Sequence, residues 1–320
     1  MRPKHDASTT VIIAAYNVAA TIERAVLSAL AQPETTETIV VDDASKDATA
    51  DLAEQLARAD ARLKVIRMRA NGGPAAARNR ALEAAQSPWV AILDGDDYFL
   101  PGRLAVLHAW ANDSDFVADT LIRVVENEAH PHPVSADSQP LQPLDLAAFV
   151  RGNMGEGLDL GFLKPIIRRD FLQQHALRYD ERLRLGEDYD FYGRGIALGG
   201  RFLLGGQAGY ISVMRPGSIS MDHSEEDLRR MRDCDDDIAA VRPLTTRERQ
   251  TIRRHKIHTD CRLQWRRLIT AVRTHDIGAA ASTFRSPHVA GYLAVRLAEQ
   301  AWLRSIGRAQ RRTETTADRP

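Results

Sequence analysis

The chain of 320 residues has 44% hydrophobic and 27% charged residues, the composition of an ordinary soluble globular protein with one large domain and an appendage, or with two domains. Its two cysteines form neither a disulfide framework nor a CxxC metal pair, which favours a reducing compartment. The first ten residues lack the apolar core of a signal peptide, and no apolar run reaches the roughly 18–20 residues that a membrane span needs, so a cytoplasmic protein is expected. The net charge of zero conceals a split, because residues 251–320 contain 14 Lys and Arg against 5 Asp and Glu and the rest of the chain is acidic.

The first predicted elements are four β–α units. Apolar, β-branched runs predict strands over residues 9–17, 37–45, 63–69 and 89–97. Helical spacing of apolar residues predicts helices over residues 19–32, 48–59 and 71–86. Ser45 or Asp47 is the expected N-cap of the second helix. Because the strands are apolar without alternation, they predict a parallel sheet covered by helices on both faces.

The middle of the chain is less regular. It predicts a strand within residues 115–126, a proline-rich loop over 127–143, and a strand or turn that leads to a short helix over 159–175. A helix is predicted to begin at the acidic cluster within 184–199, and residues 201–214 indicate paired strands. From about residue 224 the pattern is helical, and the last residues are expected to be disordered.

Polar side chains collect where the predicted parallel strands end. Ligands bind beyond the carboxyl ends of the strands in sheets of this kind. The residues at these ends are Tyr16, Asn17, Asp42, Asp43, Asp94, Asp96 and Asp97.

Each acidic motif permits a functional and a structural interpretation. The Asp94, Asp96 and Asp97 cluster favours a divalent cation, which takes oxygen ligands, over an acidic turn that caps the next helix. Asp42 and Asp43 can accept hydrogen bonds from a base or a ribose, or can form an Asx turn.

Further along the chain, a carboxylate at the start of the helix in "LGEDYDFYGR" can act as a general base, or can cap the helix. Arg78, after the "NGGP" turn, could reach a nucleotide. Neither a GxGxxG fingerprint after the first strand nor a phosphate-loop signature is present.

The basic C-terminal region predicts either an anionic partner or a solvated face that balances the acidic body. Its apolar residues can pack on the body or on a membrane surface, and residues 288–307 suit a core or an interfacial helix. The acidic body argues against nucleic acid as the partner. Three histidines without metal-ligand spacing to a cysteine are expected at the surface: His223, His255 and His258.

Taken together, these motifs resemble the family 2 glycosyltransferases with the GT-A fold, and in particular the bacterial exopolysaccharide and lipopolysaccharide branch. The stretches that carry the resemblance are "TTVIIAAYNVAATIERAVLSALAQ", "IVVDDASKDAT", "NGGPAAARNRAL", "AILDGDDYFLPGRL" and "LGEDYDFYGR". The resemblance implies a GT-A domain over residues 1–222, with a nucleotide-binding half over about 8–110 and an acceptor-binding half over about 111–222. A helical extension follows over 223–320, with a disordered tail over about 309–320.

The resemblance also implies a role for each site residue. Asp188 would be the catalytic base, and Asp96 and Asp97 would hold Mn²⁺ or Mg²⁺. Glu187 and Lys164 would lie at the acceptor or in the layer behind it. Arg215 lies closer to Ser218 than the family's arginine usually does. The residues implied to bind the donor and its nucleotide are Ala14, Tyr16, Asn17, Asp43, Arg78, Asp94 and Asp96.

The implied activity is inverting, metal-dependent transfer of a sugar from a nucleotide diphosphate sugar, of UDP type, to a saccharide or lipid-linked saccharide. This reaction would take place in the cytoplasm or at the inner face of the membrane, with the basic C-terminal region as a peripheral membrane contact. Two alternatives remain at this point, a non-catalytic sugar-nucleotide-binding relative and a sugar-1-phosphate nucleotidyltransferase. The nucleotidyltransferase class usually has a glycine-rich basic loop after the first strand, where this chain has "AAYNVAAT".

Overall fold

A central sheet of eight strands organises the protein. The computed structural model describes residues 6–126, 140–155, 160–214, 224–300 and 302. Four mutually parallel strands lie side by side in the order Leu63–Arg67, Thr35–Asp42, Thr9–Ala15 and Trp89–Asp94. The sheet continues with Ile166–Arg168, Phe116–Ala118, Phe202–Leu204 and Gln142–Leu144. The predicted β–α units and their parallel sheet are therefore confirmed. The elements of this half are β1 (Thr9–Ala15), α1 (Ile22–Leu30), β2 (Thr35–Asp42), α2 (Thr49–Ala59), β3 (Leu63–Arg67), α3 (Gly73–Ala84), β4 (Trp89–Asp94), β5 (Tyr98–Phe99) and α4 (Arg103–Ala111).

The register of β1 explains why its residues are apolar throughout. Ile12 lies opposite Ile39 of β2 and Ile92 of β4, and all three belong to the core on one face of the sheet. Val11 and Ile13, which alternate with Ile12, belong to the core on the other face. Successive side chains of a strand point to opposite faces, so a strand that is covered on both sides must be apolar at every position.

The start of α2 differs from the prediction. The N-cap is Ala48, which has no side chain that can cap the helix, rather than Ser45 or Asp47. Asp47 still serves this turn, because its carboxylate accepts hydrogen bonds from the amide of Thr49 at 3.0 Å and from the amide of Ala19 at 3.1 Å. The carboxylate of Asp47 therefore links the loop after β1 to the loop after β2 and does not cap α2 from the N-cap position.

The second half of the fold consists of shorter elements. The stretch predicted as one strand over 115–126 is two strands in different sheets, and the strand followed by a short helix within 159–175 is confirmed. The elements are β6 (Phe116–Ala118), β7 (Ile122–Val125), β8 (Gln142–Leu144), α5 (Leu146–Gly152), a 3₁₀ turn (Leu160–Phe162), β9 (Ile166–Arg168), α6 (Arg169–Gln174), α7 (Glu187–Ala197), β10 (Phe202–Leu204) and β11 (Tyr210–Met214).

The prediction that residues 201–214 form paired strands was wrong. β10 lies between β6 and β8 in the large sheet, so both of its hydrogen-bonding edges are already used. β11 instead lies between β5 and β7 in a separate three-stranded sheet. β11 therefore lies beside the turn that follows β4, where Tyr210 and Val213 donate hydrogen bonds to Asp97.

Helices make up the described part of the C-terminal region, as predicted. They are α8 (Glu225–Ala240), α9 (Thr246–Arg273), α10 (Ile277–Ser282) and α11, which begins at residue 287 and continues through residue 300. α8 and α9 each begin with a capping box. Every helix among the described residues is too short or too polar to span a bilayer. His223, Arg215 and the tail over 309–320 lie outside the described residues.

The apolar face of α9 packs on protein. Ile252, Leu263 and Leu268 are at most 7% exposed. Leu268 and Cys261 form a small core with Val289 and Leu293 of α11. Ile252 belongs to the main core of the sheet, so this face packs partly on the body and partly on α11.

Candidate active site

One cavity of about 920 Å³ opens at the carboxyl ends of β1, β2 and β4. Its wall contains every residue to which the resemblance assigned a role in binding or catalysis. The structure therefore brings these positions together, while their chemical roles stay predictions. They are Ala14, Tyr16, Asn17, Asp43, Arg78, Asp94, Asp96, Asp97, Lys164, Glu187 and Asp188.

The loops after β1 and β2 form one side of this cavity. Tyr16 is 39% exposed, so its ring is available for contact with a flat ligand. The carboxylate of Asp43 accepts hydrogen bonds from the amides of Gly72 at 2.7 Å and Gly73 at 2.8 Å. Gly73 has a φ of +85°, a left-handed conformation that favours glycine. The two hydrogen bonds to Asp43 hold the turn before α3 in this conformation. Burial raises the pKa of Asp43, although these two amides oppose the shift.

Asp42 does not line the cavity. It is 3% exposed, and its carboxylate accepts a hydrogen bond from the amide of Ser45 at 3.2 Å. The structural alternative of an Asx-type turn therefore describes Asp42, whereas Asp43 faces the cavity.

The turn after β4 lies against β1 and β11. An added Cβ on Gly95 would lie 3.2 Å from the carbonyl oxygen of Ala14 and 3.1 Å from Val18, so a side chain there would separate the turn from β1. Asp96 is partly exposed, and its backbone carbonyl accepts a hydrogen bond from Arg24 at 2.9 Å. Close approach of the two strand ends thus depends on Gly95.

Tyr210 of β11 organises both ends of this turn. Its hydroxyl donates to Asp97 at 2.9 Å and accepts from the amide of Asp94 at 3.2 Å. The other carboxylate oxygen of Asp97 accepts from the amide of Val213 at 2.8 Å. Burial, together with the negative charge of Asp94, raises the pKa of Asp97 to about 7. The sequence did not single out Tyr210, because its partners lie more than 110 residues away.

Two buried cations join the carboxylates at the centre of the cavity. Arg78 contacts Asp94 at 2.7 Å, Glu187 at 2.7 Å and Asp188 at 3.2 Å. Lys164 contacts Asp188 at 2.6 Å and Asp94 at 3.1 Å. The side chains of both cations are only 5% exposed. Arg78 therefore joins carboxylates from β4 and α7 in the cavity wall.

The electrostatic shifts follow from this arrangement. Burial opposes ionisation of Asp94, but Lys164 and Arg78 outweigh it and hold the pKa of Asp94 well below its ordinary value. Burial likewise disfavours the charged form of Lys164, yet Asp188 and Asp94 raise its pKa above the ordinary value. Glu187 behaves differently, because burial and the neighbouring Asp188 raise its pKa. The cluster thus keeps Asp94 and Lys164 charged in the absence of any ligand.

A second buried ion pair supports the cavity from behind. Arg103 and Asp119 are fully buried and 2.6 Å apart. Arg103 also donates to the backbone carbonyl of Lys164 at 2.5 Å, and Asp119 accepts from the backbone amide of Tyr210 at 3.1 Å. One ion pair therefore fixes the segments that supply a central cation and the hydroxyl behind Asp97.

The cavity fits a divalent cation in charge and ligand type. No group of three or more His, Cys, Asp or Glu among the described residues is arranged to hold a metal alone. Mg²⁺, however, commonly binds through one or two carboxylates together with substrate phosphates and water. Asp94, Asp97, Glu187 and Asp188 carry four negative charges when ionised against the two positive charges of Arg78 and Lys164. Asp97 has no ion pair with a described residue, so a cation beside it would supply the missing charge.

The histidine prediction was wrong for His255, which is fully buried. Its Nδ1 lies 2.9 Å from Asp235 of α8, and the hydroxyl of Tyr189 donates to the same carboxylate at 2.7 Å. The rings of Tyr189 and His255 stack at 4.6 Å. Since Tyr189 follows Asp188 on α7, this network attaches the C-terminal helices to the helix that carries the acidic pair.

A sequence signal for this network exists. Leu228, Asp235 and Ile238 recur at helical spacing on α8, and all three are buried. Ile252 and His255 likewise lie on the buried face of α9. A polar residue inside an apolar helical stripe indicates a buried hydrogen-bond partner, because a buried polar group must be satisfied.

The sequence is similar to those of known proteins. The model of the family described as "Glycosyl transferase family 2" matches residues 10–166. The succinoglycan biosynthesis protein ExoU of Rhizobium meliloti (strain 1021) is 41% identical over 276 residues, which cover 84% of this chain and 80% of ExoU. The succinoglycan biosynthesis protein ExoO of the same organism is 40% identical over 224 residues, which cover 67% of this chain and 64% of ExoO.

A solved structure shares the fold. The crystal structure of S. aureus TarS residues 1–349 in complex with UDP-GlcNAc superimposes with a TM-score of 0.60 at 20% identity, covering 86% of this chain and 90% of that chain. The likeness supports the GT-A architecture of a mostly parallel sheet with helices on both faces, followed by a helical region.

Proposed function

This chain belongs to glycosyl transferase family 2, and we propose that it is an inverting, metal-dependent glycosyltransferase that uses a UDP-sugar as its donor. The observation that supports this function best is the meeting of two separate chain regions in one cavity. Asp94 is the last residue of β4 on the nucleotide side, whereas Asp188 lies in the first turn of α7, and both contact the same two cations, Arg78 and Lys164. A donor site and a base on the acceptor side thus share one electrostatic centre.

The proposed chemistry is a single displacement. An acceptor hydroxyl attacks the anomeric carbon of the donor from the face opposite the leaving nucleoside diphosphate, so the configuration inverts. A new C–O bond forms, the bond to the diphosphate breaks, and Asp188 takes the proton of the hydroxyl. A carboxylate has about four lone-pair sites, so Asp188 can accept this proton while Arg78 and Lys164 each occupy one.

The nucleotide would bind at the ends of β1 and β2. Tyr16 presents an exposed ring for the base, and Asp43 lies beside it on a fixed turn. Asn17 supports the loop, since its side-chain carbonyl accepts from the amide of Lys46 at 2.8 Å. UDP is proposed because TarS, which shares the fold, was crystallised with UDP-GlcNAc.

Asp96 and Asp97 are the residues proposed to hold Mn²⁺ or Mg²⁺. Both line the cavity, and both offer the oxygen ligands that these ions prefer. When bound, the ion would act as a Lewis acid that offsets the charge of the departing diphosphate. Tyr210 and Val213 would keep the carboxylate of Asp97 in place.

Asp188→Asn tests the proposed base. Turnover should fall by about 10²- to 10⁴-fold, as for loss of a general base. The amide must turn its NH₂ group towards either Arg78 or Lys164, because both oxygens of Asp188 accept from cations. The melting temperature and the affinity for UDP should therefore be measured beside the release of UDP.

The matched control for this variant is Asp170→Asn, which changes an exposed carboxylate in the first turn of α6. Wild-type turnover by a folded Asp188→Asn protein would remove Asp188 from the mechanism. Release of inorganic pyrophosphate instead of UDP would favour the nucleotidyltransferase alternative.

Chelation tests the metal. Protein treated with EDTA should lose transfer and recover it when Mn²⁺ or Mg²⁺ is added. Isothermal titration with UDP should show weaker binding without the ion. Full activity after exhaustive chelation would contradict the proposed roles of Asp96 and Asp97.

The acceptor is proposed to be a saccharide or lipid-linked saccharide in bacterial surface polysaccharide synthesis, because ExoU and ExoO are named as succinoglycan biosynthesis proteins. Peripheral contact with the inner face of the membrane is part of this proposal. Apolar side chains are exposed on the basic C-terminal region, with Ile277 85% and Val295 59% exposed. Co-sedimentation with anionic vesicles and not with neutral ones is expected, and should weaken in Ile277→Asp. Equal recovery from both kinds of vesicle would contradict the electrostatic part of the proposal.

A further inference from the structure

One face of α1 holds the chain segment that follows β4. Polar side chains recur along this face and at both of its ends, each three or four residues after the last, which is the spacing of neighbours on a helix surface. Each of them forms a hydrogen bond with a backbone group within residues 95–104. They are Thr21, Arg24, Ser28 and Gln32.

The peptide unit that joins Asp96 to Asp97 is held at both of its ends. The guanidinium of Arg24 donates to the carbonyl oxygen of this unit at 2.9 Å. The N–H group of the unit, which belongs to Asp97, donates to the carbonyl oxygen of Asp94 at 3.1 Å. Because a peptide unit is planar, partners on its two opposite groups fix its orientation. The directions in which the side chains of Asp96 and Asp97 leave the backbone depend on this orientation.

The preceding peptide unit has a partner on the same face of α1. The hydroxyl of Thr21, a residue that is 5% exposed, donates to the carbonyl oxygen of Gly95 at 2.9 Å. A second contact places the guanidinium of Arg24, which lies 4.6 Å from the centre of the ring of Tyr98. Tyr98 is buried in β5, so the arginine is held between a helix, a turn and a strand.

We propose that Arg24 and Thr21 are positioning residues for the cation site, an inference that rests on the proposed function. Neither side chain lines the cavity, so both act through the backbone from which Asp96 and Asp97 extend. Mg²⁺ demands near-ideal octahedral geometry, so its affinity is sensitive to the directions of the carboxylates that hold it.

The charge of Arg24 makes this role testable by the sign of an effect. A positive charge repels a cation, so removal of the charge alone strengthens cation binding. Loss of the hydrogen bond to Asp96 releases the peptide unit and weakens cation binding. Arg24→Met does both, because methionine keeps an apolar stem without a charge or a donor. The direction of the change in affinity therefore shows which effect is larger.

The experiment compares wild type with Arg24→Met, Thr21→Val, Ser28→Ala and Arg58→Met. Ser28→Ala measures what a general loosening of α1 does, because the hydroxyl of Ser28 accepts from the amide of Phe99 at 3.1 Å, beyond the turn. Arg58→Met is the matched control for charge, because Arg58 is an exposed arginine on α2 without an ion pair or hydrogen bond to any described residue. Melting temperatures identify any variant that is unfolded.

Two readouts are measured for each protein. Calorimetry gives the affinity for UDP with and without Mn²⁺, and the ratio of the two affinities isolates the contribution of the ion. Hydrogen exchange of the peptide over residues 92–101, followed by mass spectrometry without ligand, reports how firmly the turn is held. In Arg24→Met the affinity ratio should fall by about 10-fold and exchange should become faster, as expected for loss of a charge-assisted hydrogen bond. Thr21→Val should change both readouts in the same direction by a smaller factor.

Ser28→Ala and Arg58→Met should keep the wild-type affinity ratio. A ratio at or above the wild-type value in folded Arg24→Met, unchanged exchange of the turn, or an equal fall in Ser28→Ala would overturn the proposal. If Arg24→Met is unfolded, Thr21→Val is judged by the same criteria. Equally tight binding of UDP by wild type with and without Mn²⁺ would refute the cation site and this positioning role with it. No binding of UDP under either condition would refute the proposed function itself.

Discussion

Replacing Lys164 with methionine should destabilise the protein far more than its ion-pair distances suggest. Lys164 contacts Asp188 at 2.6 Å, and Lys64 contacts Glu37 at the same distance. The difference lies in burial, since the side chain of Lys164 is 5% exposed and that of Lys64 is 52% exposed. Methionine keeps most of the apolar stem of lysine, so the comparison isolates the charge.

The magnitude follows from the partners that stay behind. Breaking a buried ion pair costs about 3–5 kcal/mol, because the remaining charge is left uncompensated. Asp94 and Asp188 each keep one contact with Arg78, so a value near 3 kcal/mol is expected for Lys164→Met. Lys64→Met should cost at most about 1 kcal/mol, as exposed pairs do.

Urea unfolding of both variants at pH 7, followed by tryptophan fluorescence, measures the difference. Lys164 lowers the pKa of Asp94 in the folded state, so its stabilisation is present above the unfolded pKa, about 4, and is lost as the pH falls further. The gap between wild type and Lys164→Met should therefore stay constant from pH 7 to about 4 and shrink as the pH is lowered below about 4. Equal losses of stability in the two variants at pH 7 would refute the reasoning from burial.

Three further perturbations test other parts of the structure. Tyr210→Phe removes the hydroxyl that donates to Asp97, so binding of Mn²⁺ with UDP should weaken by about 10-fold or more; an unchanged affinity in calorimetry would contradict the proposed ligand. Glu248→Gln should cost about 1 kcal/mol at pH 7, because the ion pair with Arg242 lowers the pKa of Glu248 to about 2. This stabilisation is present above pH 4.5 and is lost as the pH falls towards 2. The urea unfolding curves of wild type and variant should therefore lie further apart at pH 7 than at pH 2.5. Gly193→Ala should cost about 1–3 kcal/mol, since the added Cβ would lie 2.5 Å from Cδ1 of Ile238. Ile238→Val removes this atom and should recover part of the loss in the double variant. Melting temperatures of wild type, both single variants and the double variant measure the recovery.

The first half of the fold was predictable because its strands are covered on both faces. Such strands are continuous apolar runs, and the residues that end them collect at one edge, which is why Asp43 and Asp94 could be placed beside one cavity. β10 and β11 could not be placed, because a strand of three to five residues contains no information about which edge is free.

The contacts inside the site were less predictable than the set of residues that line it. Lys164 and Asp188 are 24 residues apart, and Arg78 and Glu187 are 109 residues apart, so no local pattern joins them. The structure pairs Arg78 with carboxylates, which its position after the "NGGP" turn did not indicate. Burial decides this outcome, since a charge that is removed from water must be compensated by nearby partners.

The hydrogen bonds among Tyr189, Asp235 and His255 have a consequence for exchanging parts between homologous enzymes. A chimera that takes its last third from one parent and its first two thirds from another divides this trio, since the tyrosine comes with α7 and the other two side chains come with α8 and α9. Grafts intended to alter acceptor preference should therefore match all three positions. A mismatch leaves a buried carboxylate or imidazole without its hydrogen-bond partner.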